Sequence, residues 1–213
     1  MRPTVDWIFD FISPFAYLQS QQLAAVVAVA DIRPVPVVFA GLLDHWGQRG
    51  PAEIPTKRRF TYRHVRWLAE QAGLPLVFPP AHPFNPIAAL RLAVVADDLA
   101  TIQAMFRVIW GEGLDPNGEA GWAALSAAAG LSPEAARDAI AQADCKARLR
   151  ANGEAALAAG VFGVPTLLVD GEPFWGLDAT GMALAALADP AHFASAEYRR
   201  LDTLPEAAGR RPS

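Results

Sequence analysis

Asp10-Phe11-Ile12-Ser13-Pro14-Phe15-Ala16-Tyr17-Leu18 is the stretch that decides the fold. Before it, Val5, Trp7, Phe9 and Phe11 alternate with Asp6, Ile8, Asp10 and Ile12. A period of two in strong β formers predicts a strand from residue 5 onward. The alternation stops at Ser13-Pro14, which reads as a helix N-cap followed by the first helical position. The apolar residues beyond it predict a helix over 14–30. Asp31-Ile32-Arg33-Pro34 then turns the chain into a second strand, predicted over 35–39. Strand, helix and strand in about 35 residues make a βαβ unit with a parallel pair.

Outward from this unit the character changes. Residues 41–55 are rich in glycine and proline and predict a long irregular loop. Thr56 is read as the cap of a helix reaching Ala72, and Asn85-Pro86 as the start of another. Leu99, Ile102, Met105, Phe106, Ile109 and Trp110 form a stripe of helical period. Further helices are predicted over 119–129, 133–143 and 146–159, so residues 56–159 form a nearly all-helical block.

At Gly160 the pattern reverts. Thr166 to Val169 predicts a strand, Asp170-Gly171 a hairpin turn, and Glu172 to Trp175 the return strand. A closing helix over 179–188, another over 191–201 and a frayed tail from Leu204 complete the chain. Removing the helical block leaves β-α-β followed by β-β-α, the order of a thioredoxin fold. The fold class is therefore α/β. Residues 1–40 and 160–203 are expected to form a thioredoxin-like domain, residues 41–159 a loop plus helical insertion, and residues 204–213 a flexible tail.

Composition narrows the function classes. The 213 residues carry a net charge of −4, which offers no electrostatic footprint for nucleic acid. No apolar run approaches the roughly 18 residues of a membrane span, and residues 1–12 do not read as a signal peptide. One cysteine, Cys145, excludes an intrachain disulfide, a Cys-x-x-Cys centre and a cysteine zinc site. The cytoplasm is the default compartment for such a chain. Cys145 itself is read as a packed thiol. The four histidines lack metal-ligand spacing, and no metal is expected.

Two segments carry chemistry. In a thioredoxin fold the redox pair sits at the first strand-to-helix junction, where this chain has Ser13-Pro14-Phe15-Ala16. Without cysteine the junction still offers backbone N–H groups and a hydroxyl. An external thiolate placed there accepts a hydrogen bond from Ser13 and is stabilised. Taken alone, Ser13 reads as a plain helix cap. The second segment is Gly163-Val164-Pro165-Thr166, just before a strand of the second half. It predicts a cis-proline loop whose Val164 backbone pairs with an extended peptide.

Together these segments resemble the 2-hydroxychromene-2-carboxylate isomerase family, close to kappa-class glutathione transferases and related to DsbA-type proteins. The resemblance covers nearly the whole chain. It also rests on Pro55-Thr56-Lys57, His82-Pro83-Phe84-Asn85-Pro86, Val108-Ile109-Trp110-Gly111-Glu112-Gly113 and Phe174-Trp175-Gly176-Leu177-Asp178. It implies glutathione as cofactor, with Ser13 on the sulfur as the catalytic contact. Val164 and Pro165 would hold the cysteinyl backbone, Gly176, Leu177 and Asp178 the γ-glutamyl end, and Gln48 would contribute from the first loop. It implies a small aromatic carboxylate as substrate and a homodimer. Phe15, Tyr17 and Trp46 would line the substrate pocket, with Lys57 and Arg91 as cations for a carboxylate. Relatives often carry Asn where this chain has Gln48, and Arg where it has Ala179. The implied activity is glutathione-dependent isomerisation of 2-hydroxychromene-2-carboxylate to trans-o-hydroxybenzylidenepyruvate. A glutathione transferase and a non-catalytic thioredoxin-like binding module are the alternatives.

Overall fold

The computed structural model describes residues 2–205 and residue 207. Four strands, β1 (Thr4–Phe9), β2 (Asp31–Pro36), β3 (Thr166–Val169) and β4 (Glu172–Trp175), form one sheet in the order β2-β1-β3-β4. β1 runs parallel to β2 and antiparallel to β3, and β4 is antiparallel to β3. This is the thioredoxin arrangement, with β1 central. One face of β1 presents Val5, Trp7 and Phe9, all fully buried, and the Trp7 and Phe9 rings stack at 4.5 Å. Each such side chain contributes about 2–3 kcal/mol through burial.

The helix predicted over 14–30 is two helices, α1 (Pro14–Ser20) and α2 (Ala24–Val29). The break has a local cause. The Ser20 hydroxyl donates to Tyr17 O, and the Gln22 amide donates to Leu18 O. Polar side chains thus compete for carbonyls that the next helical turn needs. β2 lies earlier than predicted and contains Pro34 and Pro36. Prolines are tolerated there because β2 is an edge strand.

The segment 41–55 is not irregular throughout. Helix α3 (Phe39–His45) begins it, and a short 3-10 turn, Pro51–Glu53, follows. The cap of α3 comes from far away in sequence. Asp10 accepts a hydrogen bond from Phe39 N at 2.9 Å. Helix α4 (Pro55–Gln71) has Ile54, not Thr56, at its N-cap, with Pro55 at the first helical position.

The remaining helices are α5 (Ile87–Ala96), α6 (Leu99–Phe106), α7 (Glu119–Ala128), α8 (Pro133–Ala141), α9 (Ala143–Ala158), α10 (Thr180–Ala188) and α11 (Ala196–Leu201). The stripe read from Leu99 to Trp110 departs from α geometry at its end, where residues Arg107–Gly111 form a π-helical turn. The segment predicted as one helix over 191–201 is a short 3-10 turn followed by α11. The hairpin turn has φ of 49° at Asp170 and 86° at Gly171, as an Asp-Gly turn requires. One core cluster joins the sheet to the helical block, running from Trp7 and Phe9 through Leu92 and Phe106 to Trp122, and a second, smaller one packs Ile8 of β1 with Leu42 and Ala156. The expected frayed tail falls largely on Glu206 and residues 208–213, which lie outside the described residues.

Candidate active site

Ser13 stands at the end of the turn that leaves β1 and caps α1. Its hydroxyl accepts from Ala16 N at 3.2 Å and faces Val164 O at 3.5 Å, 151 residues away in sequence. The Val164–Pro165 bond is cis, as predicted, and Gly176 N donates to Pro165 O at 2.8 Å. The two chemistry-bearing segments thus meet across one contact. Ser13 is 7% exposed, so its hydroxyl is reached only through the adjoining cavity.

Two cavities adjoin this contact. The first, about 230 Å³, is apolar apart from Ser13, Glu53, Thr61, Tyr62 and His82. The second, about 540 Å³, is floored by Val164 and Pro165 and walled by Trp175, Gly176, Leu177 and Asp178. Phe15 lines both and stands between them. An apolar chamber with a few convergent polar groups suits a small aromatic ligand. The second cavity, with an exposed carboxylate at one end and a backbone loop at the other, suits an extended polar chain.

The structure brings together Ser13, Phe15, Val164, Pro165, Gly176, Leu177 and Asp178. Other expected site residues lie elsewhere. Tyr17 is fully buried, and its hydroxyl donates to Pro75 O. Trp46 is 43% exposed and donates from its indole to Val161 O. Gln48 and Lys57 are exposed, and neither lines the two cavities. Arg91 lines a third cavity, with Lys146 and Arg150, behind α3. Tyr17, Trp46 and Arg91 were read from residue type, which does not show which way a packed side chain turns, and Gln48 and Lys57 were carried over from the family resemblance. Cys145 is buried, donates to Arg91 O at 3.4 Å, and has its thiol pushed up mainly by that burial. Such a thiol is a packed side chain and not a nucleophile.

Three groups beside Ser13 escaped the sequence reading of the site, although two quoted motifs contain Asp10 and His82. Asp10 is buried under the β1–α1 turn and accepts from Ile12 N at 3.0 Å and from Phe39 N at 2.9 Å. Desolvation raises its pKa from 3.8 to about 7, against the pull of those two bonds. His82 donates from Nε2 to Ile12 O at 2.8 Å, and the Tyr62 hydroxyl lies 2.7 Å from its Nδ1. Burial lowers the His82 pKa and raises that of Tyr62.

The Asp10 shift makes a prediction about stability. An acid whose folded pKa exceeds its unfolded one contributes most below the unfolded value and loses that contribution as pH rises through the folded value. Between pH 3.8 and about 7 the protein should lose up to about 4 kcal/mol from this group. Denaturant titrations across that range should show a slope in the wild type that is flattened in Asp10→Asn. Parallel curves for the two proteins would contradict it.

Comparison with known proteins agrees with this fold. A family model described as DSBA-like thioredoxin domain matches residues 4–188. The 2-hydroxychromene-2-carboxylate isomerase of Pseudomonas putida is 31% identical over 190 residues, covering 86% of this chain and 93% of that protein. The chain belongs to the 2-hydroxychromene-2-carboxylate isomerase family, within the DSBA-like thioredoxin domains. A second member of this isomerase family, from Sphingobium xenophagum, is 28% identical over 84% of this chain and 94% of its own length. A solved 2-hydroxychromene-2-carboxylate isomerase superposes with a TM-score of 0.79 at 26% identity, over 95% of this chain and all of that one. The cytosolic disulfide reductase DsbM of Pseudomonas aeruginosa, solved with GSH, shares the fold, with a TM-score of 0.58 at 20% identity over 92% of this chain and 99% of that one. Membership in the isomerase family supports an isomerase function for this chain. No helix among the described residues is long and apolar enough to cross a membrane.

Proposed function

We propose that this protein is a glutathione-dependent isomerase that interconverts 2-hydroxychromene-2-carboxylate and trans-o-hydroxybenzylidenepyruvate. The observation that carries this reading is a pair of cavities that share Phe15, one lined by Ser13 and the other floored by the Val164–Pro165 loop, with Ser13 and Val164 in contact.

The residues present fit the tripeptide. Val164 offers backbone groups on the floor of the larger cavity, Leu177 an apolar wall, and Asp178 an exposed carboxylate for an amino group. The DsbM structure with GSH supports the fit at the level of the shared fold. Glutathione held there would supply a thiolate able to add reversibly to a conjugated double bond, which is the chemistry an alkene needs in order to rotate.

The chain's own contribution is positioning and charge control. The Ser13 hydroxyl lies 3.5 Å from Val164 O and turns from that weak contact to an anion beside it at little cost. The helix behind it, α1, spans only Pro14–Ser20, so the hydroxyl carries more of the stabilisation than a longer helix would leave to it. Phe15 separates the tripeptide chamber from the aromatic one, so the two ligands meet only at its edge. The apolar walls of the smaller chamber exclude water, which strengthens every polar contact within it.

The test is direct. Purified protein is mixed with 2-hydroxychromene-2-carboxylate, with and without glutathione, and the spectrum of the ring-opened product is followed. Glutathione-dependent approach to equilibrium, with the tripeptide recovered unchanged, is the expected result. Release of a stable glutathione conjugate would make the protein a transferase. Absence of any change at saturating glutathione would end the reading.

A further inference from the structure

Resting on that reading, we propose that Tyr62 and His82 form a proton relay that opens and recloses the hemiketal ring of the substrate, with the Tyr62 oxygen touching the substrate and His82 holding its proton.

The geometry fixes the direction of each hydrogen bond. Ile12 O is a carbonyl and only accepts, so His82 Nε2, 2.8 Å away, carries a proton. His82 Nδ1 is then a bare lone pair in the neutral ring, and the Tyr62 hydroxyl, 2.7 Å from it, donates to it. A second acceptor, His82 O, lies 3.0 Å from the same hydroxyl. The imidazole is held from three sides by the rings of Tyr62, Phe84 and Trp110, with centroids 5.4 to 5.9 Å away. A catalytic pair needs such orientation. Both residues line the apolar chamber that Ser13 also lines.

The substrate chemistry calls for such a pair. 2-Hydroxychromene-2-carboxylate is a cyclic hemiketal, and its double bond cannot rotate while the ring is closed. Opening requires a proton to leave the hemiketal hydroxyl and one to arrive at the ring oxygen. Tyr62 oxygen takes the hydroxyl proton while its own proton passes to His82 Nδ1. The electron pair left by the O–H bond becomes the second bond of the ketone. The bond between the hemiketal carbon and the ring oxygen breaks, and its pair stays on that oxygen. The ring oxygen then takes the proton from Tyr62, which recovers its own from His82. Atoms and electrons balance within the substrate and the pair, with no co-reactant.

The surroundings suit a base that is neutral at rest. Burial keeps His82 below its ordinary pKa, against the opposing hydrogen bond to Ile12 O and with a smaller push from Arg58. Further titratable and charged groups near the pair are Glu53, which lines the chamber, Arg63, Arg66 and Glu70, which line another cavity with Tyr62, and Asp10, which lies beneath Ile12.

The experiment compares wild type, Tyr62→Phe and His82→Gln with substrate and glutathione across pH 5 to about 9, alongside calorimetry of glutathione binding. Tyr62→Phe should lower kcat at least tenfold while the glutathione Kd stays unchanged. His82→Gln should also lower kcat and abolish the acidic limb of the rate profile, because activity in the wild type rises as His82 loses its proton. Should His82→Gln fail to fold, Tyr62→Phe decides alone. Full kcat with an unaltered pH profile in Tyr62→Phe would overturn the relay while leaving the isomerase reading intact. A wild type that does not turn over the hemiketal with glutathione would remove the reading on which the relay rests.

Discussion

Ser13→Ala is expected to lower glutathione-dependent turnover by roughly a hundredfold, the loss seen when one donor to a developing anion is removed. The hydroxyl is the polar side chain at the contact between the cap of α1 and the Val164–Pro165 loop. Its removal deletes two things. One is the N-cap bond to Ala16 N, worth about 1 kcal/mol of stability. The other, on the proposed function, is the donor to a bound thiolate, whose loss should appear as a raised thiol pKa for the bound tripeptide. A thiolate absorbance titration of the complex measures that shift, and steady-state kinetics measures turnover. If the variant lost only the stability increment and kept its rate, Ser13 would be a cap and nothing more. The serine therefore has two separable signatures.

Trp110→Ala should be the most damaging single change to the fold among those considered, at about 5 kcal/mol or more. The side chain is fully buried, and its indole N–H donates to Phe11 O at 2.7 Å. A buried tryptophan replaced by alanine costs about 3–5 kcal/mol in lost transfer energy and cavity. An unpaired Phe11 carbonyl adds about 1–3 kcal/mol. For a domain of this size the melting temperature should fall by roughly 10 °C or more, and scanning calorimetry measures it. Trp110 also supports His82 and Phe84. The pairing of Tyr62 with His82 should loosen in Trp110→Phe before the fold is lost. A melting temperature within a degree or two of wild type would show that the buried Trp110 does not brace the fold.

The parts of the fold that were legible in sequence are those with local causes. The alternation into Ser13-Pro14 marked β1 and the start of α1. Asp170-Gly171 marked the hairpin, and Val164-Pro165-Thr166 marked the loop that meets Ser13. The parts that were not legible have distant causes. α3 is started by a carboxylate 29 positions upstream, so residues 41–55 looked like loop. Pro34 read as a turn residue because nothing local shows that β2 would be an edge. At the site, the residues around the Ser13–Val164 contact could be singled out because they cluster in a few short motifs. Tyr62 and His82 were not, because their partnership exists only after α4 packs beside the 82–86 segment. Tyr17 and Arg91 were read as pocket residues from residue type, and the packed helices turn them elsewhere.

The two hydrogen bonds of Asp10 carry a mechanical consequence. One oxygen grips the turn that carries Ser13, and the other grips the first residue of α3, so both are riveted to the same buried carboxyl. That side of the aromatic chamber behaves as the fixed jaw of a vice, since neither element moves without the other. The opposite jaw, formed by the Pro51–Glu53 turn with Thr61 and Tyr62 of α4, is tied to the Ser13 turn by a longer link, in which the His82 side chain bridges the Tyr62 hydroxyl and Ile12 O. A protein of this build that is to grip a wider ring system must open there, and substitutions that widen the chamber without loosening Ser13 belong on that jaw.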